Sequence, residues 1–240
     1  MNETDQRKRI LDNWQQVSAR VADAAAKCGR SPADVQVIGV AKYVDAATTR
    51  MLVDAGCTSI GENRPQVLWQ KAESESLAGQ PIPWHLIGHL QRNKLRRLLR
   101  YRPMIHSVDS ERLLGAIVEE SAKMEDQSQS LDILLEVNIS GDESKTGLTA
   151  EAIEKLIAQH SCSSVQIRGL MAMAGWGTDA NQAQRQFAAV RELRDRISTS
   201  TNLNLPELSM GMSSDFEAAI AEGATMVRIG SSLFAGVLQK

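Results

Sequence analysis

The feature that most constrains this chain is an alternation. From residue 35 onward, short β-branched or apolar runs take turns with stretches of helical spacing, and eight runs can be counted. They cover 35–41, 59–61, 84–87, 104–108, 131–139, 165–173, 205–210 and 226–229. Helix-like stretches fall at about 45–55, 65–77, 93–99, 110–124, 149–160, 180–198 and 214–221, and each run is expected to be followed by a helix. Strict alternation dictates a parallel sheet, because strands running the same way need a crossover between them. Eight such units in 240 residues predict a closed (β/α)8 TIM barrel, with a doubly wound open sheet as the rival. Ahead of the first run, Ile10, Leu11, Trp14, Val17, Val21, Ala24, Ala25 and Cys28 repeat at helical spacing, and Gly29 follows as a stop. No Pro- or Ser-rich linker interrupts the pattern. Residues 1–240 therefore read as one domain, an extra N-terminal helix over 1–29 and a barrel over 35–240.

Composition narrows the function classes. With 42% hydrophobic residues the chain can bury a large core, which excludes a disordered polymer. The 27 Lys+Arg against 29 Asp+Glu give a net charge of −2, without the basic surplus of a dedicated nucleic-acid binder. No apolar run reaches the roughly 18 residues of a membrane span. The first ten residues hold no apolar segment, so no secretory signal is expected. Cys28, Cys57 and Cys162 lie far apart with no Cys-x-x-Cys, which reads as reduced thiols in the cytoplasm.

In a barrel of this kind chemistry sits where strands end. Those ends carry Lys42, Glu62-Asn63, Gly88-His89, Ser107 to Asp109, Asn138, Met173, Ser209 to Ser213 and Arg228 to Ser231. Lys42 closes an apolar run, so it is expected to be poorly hydrated, with its amine available as a nucleophile toward an aldehyde or ketone. The plainer alternative is a lysine whose stem packs on the rim and whose head reaches water. Leu208-Ser209-Met210-Gly211-Met212-Ser213-Ser214-Asp215 and Val227-Arg228-Ile229-Gly230-Ser231-Ser232 bring glycines and hydroxyls to the last two strand ends. Barrels often bind phosphate there, and the alternative is that these residues only cap and turn. Arg228 shares the face of Gly230; if that face is interior, it is a buried cation that pairs with a carboxylate or with a ligand acceptor. An amine, an anion cradle and an arginine together suit an aldehyde-bearing phosphate ester, and pyridoxal phosphate meets that description.

At this point the sequence resembles a known family, the pyridoxal-phosphate homeostasis proteins, barrels related to the N-terminal domain of alanine racemase. The likeness is carried by Val40-Ala41-Lys42, Gly61-Glu62-Asn63, the stretch from Trp84 to Lys94, and His106-Ser107-Val108-Asp109. It continues through Asn138-Ile139-Ser140, Lys145-Thr146-Gly147, Arg168 to Met171, Leu208 to Ser213 and Val227 to Gly230. The resemblance implies that Lys42 holds pyridoxal 5'-phosphate as a Schiff base. It implies phosphate contacts from Ser209, Met210, Ser213, Gly230 and Ser231, Arg228 at the pyridine nitrogen, and Asn63 near the ring. It further implies a role in holding and delivering the cofactor, with apo forms of cofactor-dependent enzymes as partners. Tyr43 is a departure, where relatives carry a small or polar residue; it is expected to point away from Lys42. Ser231 stands where relatives often have threonine, which keeps the hydroxyl.

Turnover can be weighed chemically. A carboxylate on the pyridine nitrogen strengthens the electron sink, and an arginine weakens it. A racemase then needs two proton carriers on opposite faces of the ring. Lys42 supplies one; Tyr43 and Tyr101 are the only tyrosines, and no further domain is expected to supply another. The reading is a carrier without strong turnover; the alternatives are a small alanine-racemase-like enzyme acting on amino acids and a barrel aldolase using Lys42 on a sugar phosphate. A monomer is expected. His85 and His89 lie about 13 Å apart if extended, too far to share a metal. Arg92, Lys94, Arg96, Arg97, Arg100 and Arg102, with Leu95, Leu98 and Leu99 between them, read as the solvated face of an amphipathic helix. Met171, Met173, Met210 and Met212 are expected in the core or against the ligand.

Overall fold

The computed structural model describes residues 1–124, 130–139, 146–159, 164–175 and 177–237. Ser140, Lys145, His160, Cys162 and Lys240 lie outside the described residues.

Helix α1, Glu3–Lys27, begins where the Asn2 side chain accepts from the Asp5 amide at 2.9 Å. It buries Ile10, Val17, Val21 and Ala25 along α2 (Ala46–Asp54) and α8 (Phe216–Ala221). Eight parallel strands follow: β1 Gln36–Val40, β2 Ser59–Glu62, β3 Trp84–Leu86, β4 Met104–Val108, β5 Leu131–Glu136, β6 Val165–Met171, β7 Glu207–Met212 and β8 Met226–Ile229. They pair in chain order and close through β1 and β8, where Ile38 faces Arg228 in register. The barrel is closed, so the open-sheet rival falls. The remaining helices are α3 Pro65–Ala72, α4 Leu95–Leu98, α5 Glu111–Ser121, α6 Ala150–Gln159 and α7 Ala180–Thr201. Among the described residues no helix is long and apolar enough to cross a membrane.

Three local expectations need correction. The stretch at 93–99 is not one helix: α4 is a single turn flanked by 3₁₀ turns at Arg92–Lys94 and Leu99–Tyr101, and Arg102 ends it in the left-handed region at φ 45°. Its face pattern is as read, with Leu95, Leu98 and Leu99 buried and Arg96, Arg97 and Arg100 exposed. After β8 the described chain runs through turns rather than an eighth crossover helix; Leu233 and Phe234 still pack into the core. β7 runs two residues beyond its expected end, because its pairing with β8 slips between Ser209 and Met212.

Candidate functional site

In the closed barrel β7, β8, β1 and β2 are successive neighbours. Their C-terminal ends bring Ser213, Gly230, Ser231, Lys42 and Asn63 to one arc of the rim, all at least partly exposed. The loops after β7 and β8 are tied together, since the Gly230 amide donates to Ser213 Oγ at 3.3 Å. The ends of β8 and β1 touch: a Cβ on Gly230 would lie 3.2 Å from the Val40 carbonyl oxygen, two residues before Lys42. Gly211 adopts φ +91° and makes room for α8, since a Cβ there would meet Ala219 Cβ at 2.6 Å. The freedom of these two glycines serves the protein's own packing at the rim. Asp215 does not cap α8; its carboxylate turns back to the Met212 amide at 2.6 Å.

Beneath the rim lies a buried polar chain. Arg228 Nη1 donates to the Ser209 carbonyl and to Ser209 Oγ, each at 2.7 Å, and Nη2 donates to the Ala172 carbonyl at 2.9 Å. Ser209 Oγ lies 2.8 Å from His106 Nδ1, and His106 Nε2 lies 2.9 Å from His85 Nδ1. β4 and β7 are not neighbours in the sheet, so the His106–Ser209 bond crosses the barrel interior. With Arg228 donating to Ser209, the chain runs from arginine to serine, serine to His106 and His106 to His85, which leaves the His85 Nε2–H as its last hydrogen. It ends at His85 Nε2, a buried atom without a partner among the described residues. Burial lowers His85 to about 4. Burial, then the charges of His85 and Arg228, hold His106 well below the ordinary histidine value. Burial also lowers Arg228 to about 10, which leaves it a cation at neutral pH.

The face of Arg228 is therefore interior, the condition on which the sequence made it a buried cation, and its bonded partners are neutral oxygens and not a carboxylate. Three bonds leave two of a guanidinium's five N–H groups without a protein acceptor among the described residues. Ser209 and Met210 are fully buried within β7, the first holding Arg228 and the second in the core. Met171 is buried as expected, whereas Met173 and Met212 are exposed and line no core.

Lys42 departs from its expected desolvation. β1 ends at Val40, and Lys42 sits in the following turn with its side chain exposed. Nor does Tyr43 point away: its ring centroid lies 5.0 Å from Lys42 Nζ, with the tyrosine 74% exposed. A turn of this kind lets adjacent side chains fold together, which strict strand alternation would forbid. Tyr101 is elsewhere, bonded to Glu73, which also takes Arg97.

Of two buried carboxylates at strand ends, sequence reasoning missed Glu136 and named Glu62 without foreseeing its burial or its partner. Glu136 closes β5 and accepts from Thr146 Oγ1 at 2.7 Å; burial raises its carboxyl above the usual range. Glu62 closes β2 and pairs with Lys71 of α3 at 2.5 Å, both side chains buried. The available signal was Lys71 itself, a charge three residues after Leu68 on the face that the helical spacing assigns to the core.

A family model described as the alanine racemase N-terminal domain matches residues 6–237. The chain is 35% identical over 235 residues to the pyridoxal phosphate homeostasis protein of Aquifex aeolicus, covering 98% of each. It is 39% identical over 227 residues to that of Pseudomonas aeruginosa, covering 94% of each. The structure of PipY from Synechococcus elongatus PCC7942 with PLP bound superposes with a TM-score of 0.78 at 36% identity, over 90% of this chain and 100% of PipY. Since the matches run from α1 through every strand to the turns after β8, the chain belongs to the alanine racemase N-terminal domain family and, within it, to the pyridoxal phosphate homeostasis proteins.

Proposed function

We propose that this chain holds pyridoxal 5'-phosphate on the rim formed by β7, β8, β1 and β2, as a Schiff base with Lys42, and serves its homeostasis in the cytoplasm. The observation that carries the reading is the convergence of an exposed amine, two hydroxyls, a backbone loop tie and a buried arginine on four adjacent strand ends. Ser213, Gly230 and Ser231 would hold the phosphate, Asn63 would lie beside the ring, and Arg228 would give a remaining N–H to the pyridine nitrogen. Ser209 orients Arg228 from below, and Met210 backs the strand in the core. The residues fit this ligand because Arg228 is a buried cation bonded only to neutral groups, which suits a neutral acceptor. Cys28 and Cys57 are free thiols, in keeping with a reducing compartment.

When bound, the cofactor supplies an aldehyde and an electron-withdrawing ring. The chain's own groups favour holding over turnover. Arg228, as the donor at the pyridine nitrogen, would leave that nitrogen unprotonated and the ring a weaker electron sink. Tyr101 is engaged by Glu73, and Tyr43 lies beside Lys42 and not apart from it. Apo forms of cofactor-dependent enzymes are the recipients this reading implies. The test is borohydride reduction of the cofactor-loaded protein followed by peptide mapping. A reduced adduct on Lys42, absent in Lys42→Ala, is expected; an adduct elsewhere sinks the assignment. Rapid exchange of the α-hydrogen of a single alanine enantiomer in deuterated water would establish the racemase-like enzyme instead.

A further inference from the structure

Lys71 Nζ makes two buried contacts, at 2.5 Å to Glu62 Oε1 and at 2.7 Å to the Ala41 carbonyl oxygen. Ala41 is the residue before Lys42, and Glu62 is the residue before Asn63. One ammonium on α3 therefore grips the chain immediately ahead of two rim residues on two strands. We propose that Lys71 and Glu62 are positioning residues that fix the Lys42 amine and Asn63 relative to each other; this rests on the Schiff-base reading above.

The local bonding supports a device of position. The Ala41 carbonyl also accepts from the Val44 amide at 3.1 Å, so the turn carrying Lys42 is closed on the same oxygen that Lys71 holds. The Ala41 amide donates to Gly61, and the Glu62 carbonyl accepts from Ile87, which ties β1, β2 and β3 around the pair. An exposed lysine just past a strand end has little packing of its own to orient it. An ion pair buried this deeply is a poor way to gain stability, since apolar residues of similar volume often do as well. Glu62 Oε2 is left buried without a partner among the described residues, a further sign that stability is not what the pair optimises. What apolar residues would lack is a donor for the Ala41 carbonyl.

The step affected is a condensation. The Lys42 amine attacks the aldehyde carbon, the carbonyl oxygen leaves as water, and a C=N bond remains; borohydride delivers hydride to that carbon and yields a stable secondary amine. The experiment compares wild type with Lys71→Met and with Glu62→Gln/Lys71→Met, which removes both charges. Each is titrated with pyridoxal 5'-phosphate, which condenses, and with pyridoxine 5'-phosphate, which has an alcohol in place of the aldehyde and cannot. We expect adduct formation at Lys42 to slow by about tenfold or more, on the scale that small misplacements of a reacting group produce. Affinity for pyridoxine 5'-phosphate should fall far less than the adduct rate, because, of the two positioned residues, only Asn63 would touch it, a split that general loosening of the barrel would not give. Equal rates in wild type and in a folded variant overturn the proposal, as does parallel loss of both ligands. Variants that fail to fold also count against it, because the pair then holds the barrel and not the lysine. A wild type that forms no adduct at Lys42 refutes the parent reading, and is told apart because it needs no variant.

Discussion

Arg228 gives both hydrogens of Nη1 to one residue, Ser209, whose carbonyl and hydroxyl each accept at 2.7 Å. Because Ser209 lies on β7 and Arg228 on β8, the bond pair staples the last two strands just below the rim. It also ties the guanidinium to His106 across the barrel through the same hydroxyl. The arginine is thereby fixed before any ligand arrives, with its charge carried by neutral oxygens.

Ser209→Ala removes one acceptor from a buried cation and the partner of His106 Nδ1 at once. A hydrogen bond to a charged group contributes about 1.5–3 kcal/mol, and a loss of about 2 kcal/mol in unfolding free energy is expected. Urea denaturation followed by circular dichroism measures it. A change below about 0.5 kcal/mol, the range of surface substitutions, would mean that the hydroxyl does not hold Arg228.

The buried histidine pair makes stability fall with acid. In the unfolded chain each histidine titrates near its ordinary value of 6.5, whereas in the fold burial holds His85 at about 4 and His106 well below normal. Above 6.5 both states are neutral and the pair contributes no pH dependence. Between 6.5 and about 4 the unfolded chain binds protons that the folded one refuses, so each histidine removes about 1.4 kcal/mol per pH unit. Burial raises Glu62 and Glu136 and acts in the opposite sense, adding stability as the pH falls, so the histidine contribution across the window from 6.5 to 5.5 is read as the difference between wild type and His85→Gln. Urea midpoints should decline across that window, and His85→Gln should flatten the decline. Equal slopes for wild type and His85→Gln there would contradict a neutral, buried imidazole at His85.

How much of this was legible in the sequence follows from the range of the interactions. The barrel could be read because alternation is local: Val37-Ile38-Gly39-Val40 and Met226-Val227-Arg228-Ile229 announce strands without reference to any other residue. The same two-residue period put Arg228 on the face of Gly230, and barrel closure decides that this face is interior. The hydration of Lys42 was misjudged because the strand stops at Val40, and a turn does not inherit its parity. The bonds from His106 to Ser209 and from Lys71 to Ala41 span 103 and 30 residues and depend on barrel closure, which no local pattern encodes.

Gly211 is required by both conformation and space. Its φ of +91° strains any L side chain, and an added Cβ would meet Ala219 Cβ at 2.6 Å and Phe216 Cα at 2.9 Å. Gly211→Ala should destabilise by about 1–3 kcal/mol, the usual cost of forcing a methyl into packed structure. Thermal denaturation of the two proteins side by side gives the answer. A neutral outcome would require α8 to move away from β7 at no cost.

The phosphate cradle predicts a contrast between two ligands. Ser213 Oγ and the Gly230 amide are joined at 3.3 Å, and Ser231 follows on the same loop. Ser213→Ala and Ser231→Ala remove partly or fully exposed hydroxyls, so stability should stay within about 0.5 kcal/mol of wild type. If these hydroxyls meet the phosphate, affinity for pyridoxal 5'-phosphate should fall about tenfold in the double variant, since each hydrogen bond to a charged group contributes about 1.5–3 kcal/mol before water competes. Affinity for pyridoxal, which has the aldehyde and no phosphate, should not change, because its bond to Lys42 is untouched. Fluorescence titration with both ligands reads the ratio. Equal losses for the two would place the hydroxyls against the ring and not the phosphate, and no loss for either would remove them from the site.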